Sequence, residues 1–182
     1  MTTAAYTEET RHVPSAVDGA ENGDERHVIE TRFGPMEFPG SQALFMPRGI
    51  LGFAEHRNFG IAYLPNRFID RLMLLQSLSS PETSFLLLPL GIDDGIIAQD
   101  DLVSACNTMN VAPDNAVVAV IVTIRDAGGQ PQVTVNLRAP ILLDSETRTG
   151  WQYVLPNSKY SVRHTLALPQ PAAPAAPAAA TG

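Results

Sequence analysis

Cysteine and lysine each occur once in the 182 residues, as Cys106 and Lys159. A lone cysteine excludes an internal disulfide and any multi-cysteine metal site, and it points to a reducing compartment. Histidine is limited to His12, His27, His56 and His164, and no two of them share metal-ligand spacing. Aromatic residues make up only 7% of the chain, and the arginines are scattered, so a stacking platform beside cations for single-stranded nucleic acid is missing. The formal net charge of −7 opposes approach to phosphate backbones. Direct nucleic-acid binding is therefore not expected. Apolar runs stay well short of the ~18 residues of a membrane span. The longest, residues 116–124, reads as a strand. Nucleotide-binding glycine loops, phosphate loops and the Gly-x-Ser-x-Gly elbow are absent as well.

Composition divides what is there into three zones. Residues 1–26 are polar and acidic and read as a disordered arm. Six acids face two arginines over residues 1–27, a net of −4, and no apolar segment of a secretory leader is present. A cytoplasmic protein is expected. Residues 27–168 carry the periodic patterns of a folded domain. Residues 169–182 are a Pro/Ala tail of low complexity, also expected to be disordered.

Strand patterns dominate the domain. They fall at residues 28–33, 42–46, 59–64, 71–76, 84–90, 116–125, 131–137, 141–143, 151–155 and 160–165, with turn residues between them. One helix follows the aspartate pair Asp100-Asp101, either of which can cap it. Leu102, Val103, Cys106 and Met109 form its apolar stripe, and Asn110 and Pro113 mark its exit. The expected fold is mainly β: a compact antiparallel β-barrel or sandwich-like single domain with one short helix.

Candidate chemistry is sparse. Cys106 lies on the apolar stripe, the place of a small buried hydrophobe. A hydrolase built on Cys106 or His164 stays open, since such partners meet in space. Asp93-Asp94 and Asp100-Asp101 lack the ligand spacing of a calcium loop and read as a solvated loop and a helix cap. No catalytic, cofactor or metal residue is assigned. Residues 133–164 are more informative, because Asn136, Arg138, Tyr160, Arg163 and His164 sit inside strand patterns. Either they form a solvated sheet face with a proline-managed edge, or a protein-binding face. Residues 47–53 form a loop with two glycines, one proline and three apolar side chains, Ile50, Leu51 and Phe53.

Several segments, in order, resemble the bacterial flagellar assembly factor FliW family. Ile29-Glu30-Thr31-Arg32-Phe33-Gly34 resembles its opening strand. Met46-Pro47-Arg48-Gly49-Ile50-Leu51-Gly52-Phe53 resembles its Phe-Pro-x-Gly-Ile-Pro-Gly-Phe loop, with Leu51 in place of proline. Leu75-Gln76-Ser77 followed by Phe85-Leu86-Leu87 resembles its Leu-Gln-Ser strand pair. Val122-Thr123-Ile124, the stretch from Asn136 to Ile141 and the stretch from Asn157 to His164 resemble its C-terminal half. The resemblance covers residues 28–166. It implies a non-catalytic, cytoplasmic, partner-switching regulator and chaperone, monomeric, without cofactor. Its partners would be flagellin and, alternatively, the translational repressor CsrA, whose capture relieves repression of flagellin translation. The candidate contacts are Ile50, Leu51, Phe53, Gln76, Asn136, Arg138, Tyr160, Arg163 and His164. For Ile50, Leu51 and Phe53 the other reading is a plug at one end of the barrel. For the whole chain it is a β-barrel that holds a small ligand.

Overall fold

A computed structural model describes residues 25–64, 69, 71–91, 94–157 and 159–167. Residues 1–24 and 168–182, most of the arm and the tail, lie outside the described residues, as does Asp93. The strands are β1 (Arg26–Thr31), β2 (Gly34–Pro39), β3 (Leu44–Phe45), β4 (Asn58–Tyr63), β5 (Met73–Ser77), β6 (Ser84–Leu90), β7 (Ala116–Asp126), β8 (Pro131–Val135), β9 (Ile141–Asp144), β10 (Thr149–Gln152) and β11 (His164–Thr165). Helix α1 (Gln99–Met109) crosses between β6 and β7.

The chain closes a seven-stranded ring in the order β3-β4-β5-β6-β7-β9-β10. All neighbours are antiparallel except β10 and β3, which meet in parallel at Thr149 and Phe45 and close the ring. Closure removes the exposed edges that an open sheet would present. β7 makes it possible. Residues 116–119 pair with β9, and residues 122–126 of the same strand pair with β8. β8 then carries β11 as a short outer flap.

The two-residue period of each strand feeds two separate cores. Leu44, Met46, Phe59, Leu75, Leu87, Ala119, Ile141 and Leu143 make one, and β10 faces it with Gly150, where a Cβ would lie 2.6 Å from Leu143. Every strand of the ring thus points one face there, so this cluster is the barrel interior. Leu74, Val118, Val120, Val122 and Leu142 alternate with those residues. They form the second core outside the ring, under α1 and β8. α1 contributes Leu102, Ala105 and Cys106 to it. Ala105 replaces the expected Val103, which is exposed. The set 102, 105, 106, 109 follows the 3.6-residue period more closely. The helix ends as expected, with Asn110 left-handed at φ 57° and Val111 N donating to Cys106 O.

Several boundaries differ from the sequence expectation. The first strand turns back at Arg32-Phe33 instead of ending at Gly34-Pro35, and β2 continues through both prolines to Pro39. β2 pairs only with β1, the edge position in which proline is tolerated. The strand expected at 42–46 shrinks to Leu44–Phe45. The strand expected at 151–155 stops at Gln152. Tyr153 N and Leu155 N still donate to Pro140 O and Arg138 O, but Pro140 has no N–H to return. The strand expected at 160–165 survives only as β11, because Tyr160 is drawn inward and residues 161–163 turn on the Ser161 hydroxyl. Asp100 and Asp101 sit in the first turn of α1, while Ala98 holds the capping position without a side-chain bond.

Phe38 packs the β1–β2 hairpin onto β4 at Gly60, where an added Cβ would lie 2.2 Å from the ring. Replacing Gly60 by alanine is expected to cost about 1–3 kcal/mol through overpacking. Urea unfolding measures it, and Phe38→Leu in the Gly60→Ala background should return part of the loss.

Candidate partner-binding surface

The loop after β3 is shaped by Gly49. Its φ is +62°, and a Cβ there would meet Phe53 O at 2.5 Å. Only glycine fits a turn that tight. Three backbone bonds close it: Gly49 N to Met46 O, Phe53 N to Ile50 O and His56 N to Phe53 O. The loop's apolar residues then divide. Ile50 is buried in the barrel interior beside Met46 and Phe59. Phe53 is exposed at the rim, edge-on to Phe85 with centroids 5.2 Å apart. Leu51 is 59% exposed. Plug and outward surface are both present, carried by different residues.

Gln152 braces this loop. Its Oε1 accepts from Leu51 N at 2.9 Å, and its Nε2 donates to Ala139 O at 3.2 Å. Between loop and brace runs a trough of about 310 Å³ lined by Arg48, Leu51, Met109, Trp151, Tyr153 and Val154 among others. Leu51 and Val154 are its exposed apolar rim. Arg48 is exposed and makes no ion pair among the described residues. Sequence reasoning did not place Arg48, Met109, Trp151, Tyr153 or Val154 among the candidate contacts. The one signal available was Trp151, the only tryptophan, a residue type enriched at binding hot spots.

The nine sequence candidates scatter. Leu51 and Phe53 share the loop. Gln76 and Tyr160 are interior, which corrects their placement among surface contacts, and Ile50 is interior as its plug reading has it. The Gln76 amide nitrogen lies 3.0–3.2 Å from the carbonyls of Ser77, Ser80, Pro81 and Thr83 and gathers the turn between β5 and β6. His56 lies against the same turn, with Nδ1 at 3.2 Å from Ser79 Oγ and Nε2 at 3.3 Å from Thr83 Oγ1. Tyr160 donates its hydroxyl to Asp101 at 2.5 Å and accepts from Ala98 N at 3.0 Å. Asn136 Oδ1 accepts from Arg138 N and Ala139 N, the side-chain turn that breaks the strand. Arg138 donates to Asn157 O at 3.1 Å. Arg163 and His164 are exposed on the flap, away from the trough.

Cys106 and His164 line different clefts with no lining residue in common. Burial also pushes the Cys106 thiol up, the wrong direction for a nucleophilic thiolate. Two of the aspartates have structural partners. Asp94 accepts from Gly91 N, and Asp101 from Tyr160. Among the described residues no group of three or more His, Cys, Asp or Glu is placed to hold a metal ion. Nor is any helix there long and apolar enough to cross a membrane.

Comparison with known proteins agrees with this architecture. The FliW protein family model matches residues 27–166. The chain belongs to the FliW family. A flagellar assembly factor FliW from Syntrophotalea carbinolica is 32% identical over 143 residues, spanning 78% of this chain and 98% of its own length. One from Syntrophus aciditrophicus is 31% identical over 147 residues, spanning 76% and 86%. The crystal structure of a flagellar assembly factor FliW superposes with a TM-score of 0.58 at 23% identity, covering 78% of this chain and 96% of that one. That likeness is one of fold. The chain is a flagellar assembly factor of the FliW type, with the mainly β fold that its sequence patterns indicate.

The Tyr160 hydroxyl, and next to it Lys159 at 3.1 Å, hold the Asp101 carboxyl below the usual carboxylate range. A carboxyl whose pKa is depressed by folding stabilises the fold above its unfolded pKa, and that stability is lost as pH falls through the folded value. Asp101→Asn should therefore lower the melting temperature at pH 7. The gap to the wild-type protein should close below about pH 4, where thermal melts in acid read it directly.

Proposed function

We propose that this FliW family member is a cytoplasmic, non-catalytic, partner-switching protein that binds flagellin and, alternatively, CsrA, and that capture of CsrA relieves repression of flagellin translation. The observation that carries the binding reading is the exposed apolar trough beside the family's glycine-rich loop, braced in place by Gln152. Rigid backbone support under exposed Leu51 and half-buried Trp151 suits a surface meant for a protein partner, since anchors act best when pre-organised. The net charge of −7 supports rapid encounter with a basic RNA-binding protein. The other reading, a barrel enclosing a small ligand, asks for a hollow interior. Here Met46, Phe59, Leu75, Leu87 and Ile141 fill that space and are each fully buried.

Gel filtration of the protein mixed with flagellin or CsrA from the same genome tests the reading, and a stable complex with at least one is the expected result. No complex with either removes it. Titrating CsrA in the presence of its RNA target should give a ternary species, the mark of antagonism away from the RNA surface. Strict competition would show steric blocking instead.

A further inference from the structure

We propose that the trough between residues 48–51 and 151–154 receives one face of an amphipathic helix from a partner protein, with a carboxylate of that helix paired to Arg48. This rests on the partner-binding reading above and names the surface and the occupant's chemistry. Three observations carry it. The rim is apolar and exposed at Leu51 and Val154, with half-buried Trp151 and Tyr153 between them, so side chains spaced by one helical turn can seat against it. The volume of about 310 Å³ is at the lower limit of small-molecule pockets, which run from ~300 to ~1,000 Å³, and suits a few side chains better than a whole ligand. Arg48 is the single charged residue in the lining and is exposed. On a chain of net charge −7, an arginine with no ion pair among the described residues, beside an apolar trough, selects a carboxylate locally, while the rest of the surface repels one.

This chemistry divides the two proposed partners. A basic RNA-binding protein gains from the overall acidic charge, but meets Arg48 with the wrong sign. An amphipathic helix with an acidic flank matches both the apolar rim and the arginine. Within the proposed function that occupant is flagellin.

The test uses the full chain, with purified flagellin and CsrA of the same organism as probes. Arg48→Glu and Leu51→Asp are both exposed substitutions, and Val28→Asp on β1, equally exposed and outside the trough, is the control. Melting curves confirm folding of each variant. Trp151, the sole tryptophan, reports occupancy by fluorescence. Arg48→Glu and Leu51→Asp should each weaken flagellin binding by about tenfold or more, and Val28→Asp should leave it unchanged. Wild-type affinity should fall with added salt, and the Arg48→Glu variant should lose that dependence. Unaltered flagellin binding by both trough variants overturns the proposal and leaves the partner reading standing. Loss of CsrA binding alone also overturns it, since the trough would then serve the basic partner. So does a loss of self-association in Leu51→Asp without a change in flagellin affinity, since the occupant would then be a second copy. Failure of the wild-type protein to bind either probe removes the partner reading itself.

Discussion

One strand must serve three neighbours. β7 pairs with β6 along one edge, and its other edge is shared by β9 in the first half and β8 in the second. The switch falls near Ile121, whose carbonyl accepts from Asn136 N as the chain leaves β8. Asn136 then turns the backbone with its own side chain, and the released segment returns as β9. Without that hand-over β9 would pair with β10 alone, and the ring could not close. Apolar cores on both faces of residues 118–122 hold β7 in place, since a register slip of one residue would exchange Val118, Val120 and Val122 for Ala119 and Ile121.

The same turn reaches the surface. Ala139, just past Asn136, accepts from Gln152, and Gln152 accepts from Leu51. A line of hydrogen bonds therefore runs from the hand-over on β7 to the backbone of the exposed loop. The loop's other anchor is Ile50 in the barrel interior, a burial worth about 1.5–3 kcal/mol. Leu51 is thus presented by a backbone held at two points.

Strand content, the single helix and the character of the 47–53 loop are legible in the sequence because they rest on local periodicity and on glycine and proline. The nearly unbroken apolar run from Val117 to Ile124, rich in valine and isoleucine, favours a strand by its own composition. Errors fall where a distant group overrides the local pattern. Tyr160, Val162 and His164 alternate like a strand, yet Asp101 and Ala98 pull Tyr160 inward and the ladder begins only at His164. Gln76, in a family-like Leu-Gln-Ser segment, reads as a polar contact. It is buried because four carbonyls of the following turn converge on its amide.

Residue order alone determined that this chain is a mainly β member of the FliW family, since ordered motifs and two-residue alternation are properties of the chain itself. Which residues gather into one exposed surface was decided only by the tertiary structure. Leu51, Trp151, Val154 and Arg48 come from two segments about a hundred residues apart, and neither segment marks them out. They become one surface because closing the ring brings β10 against β3 and lets Gln152 reach the loop. Long-range strand pairing leaves no local trace in the sequence, and the trough is a product of that pairing.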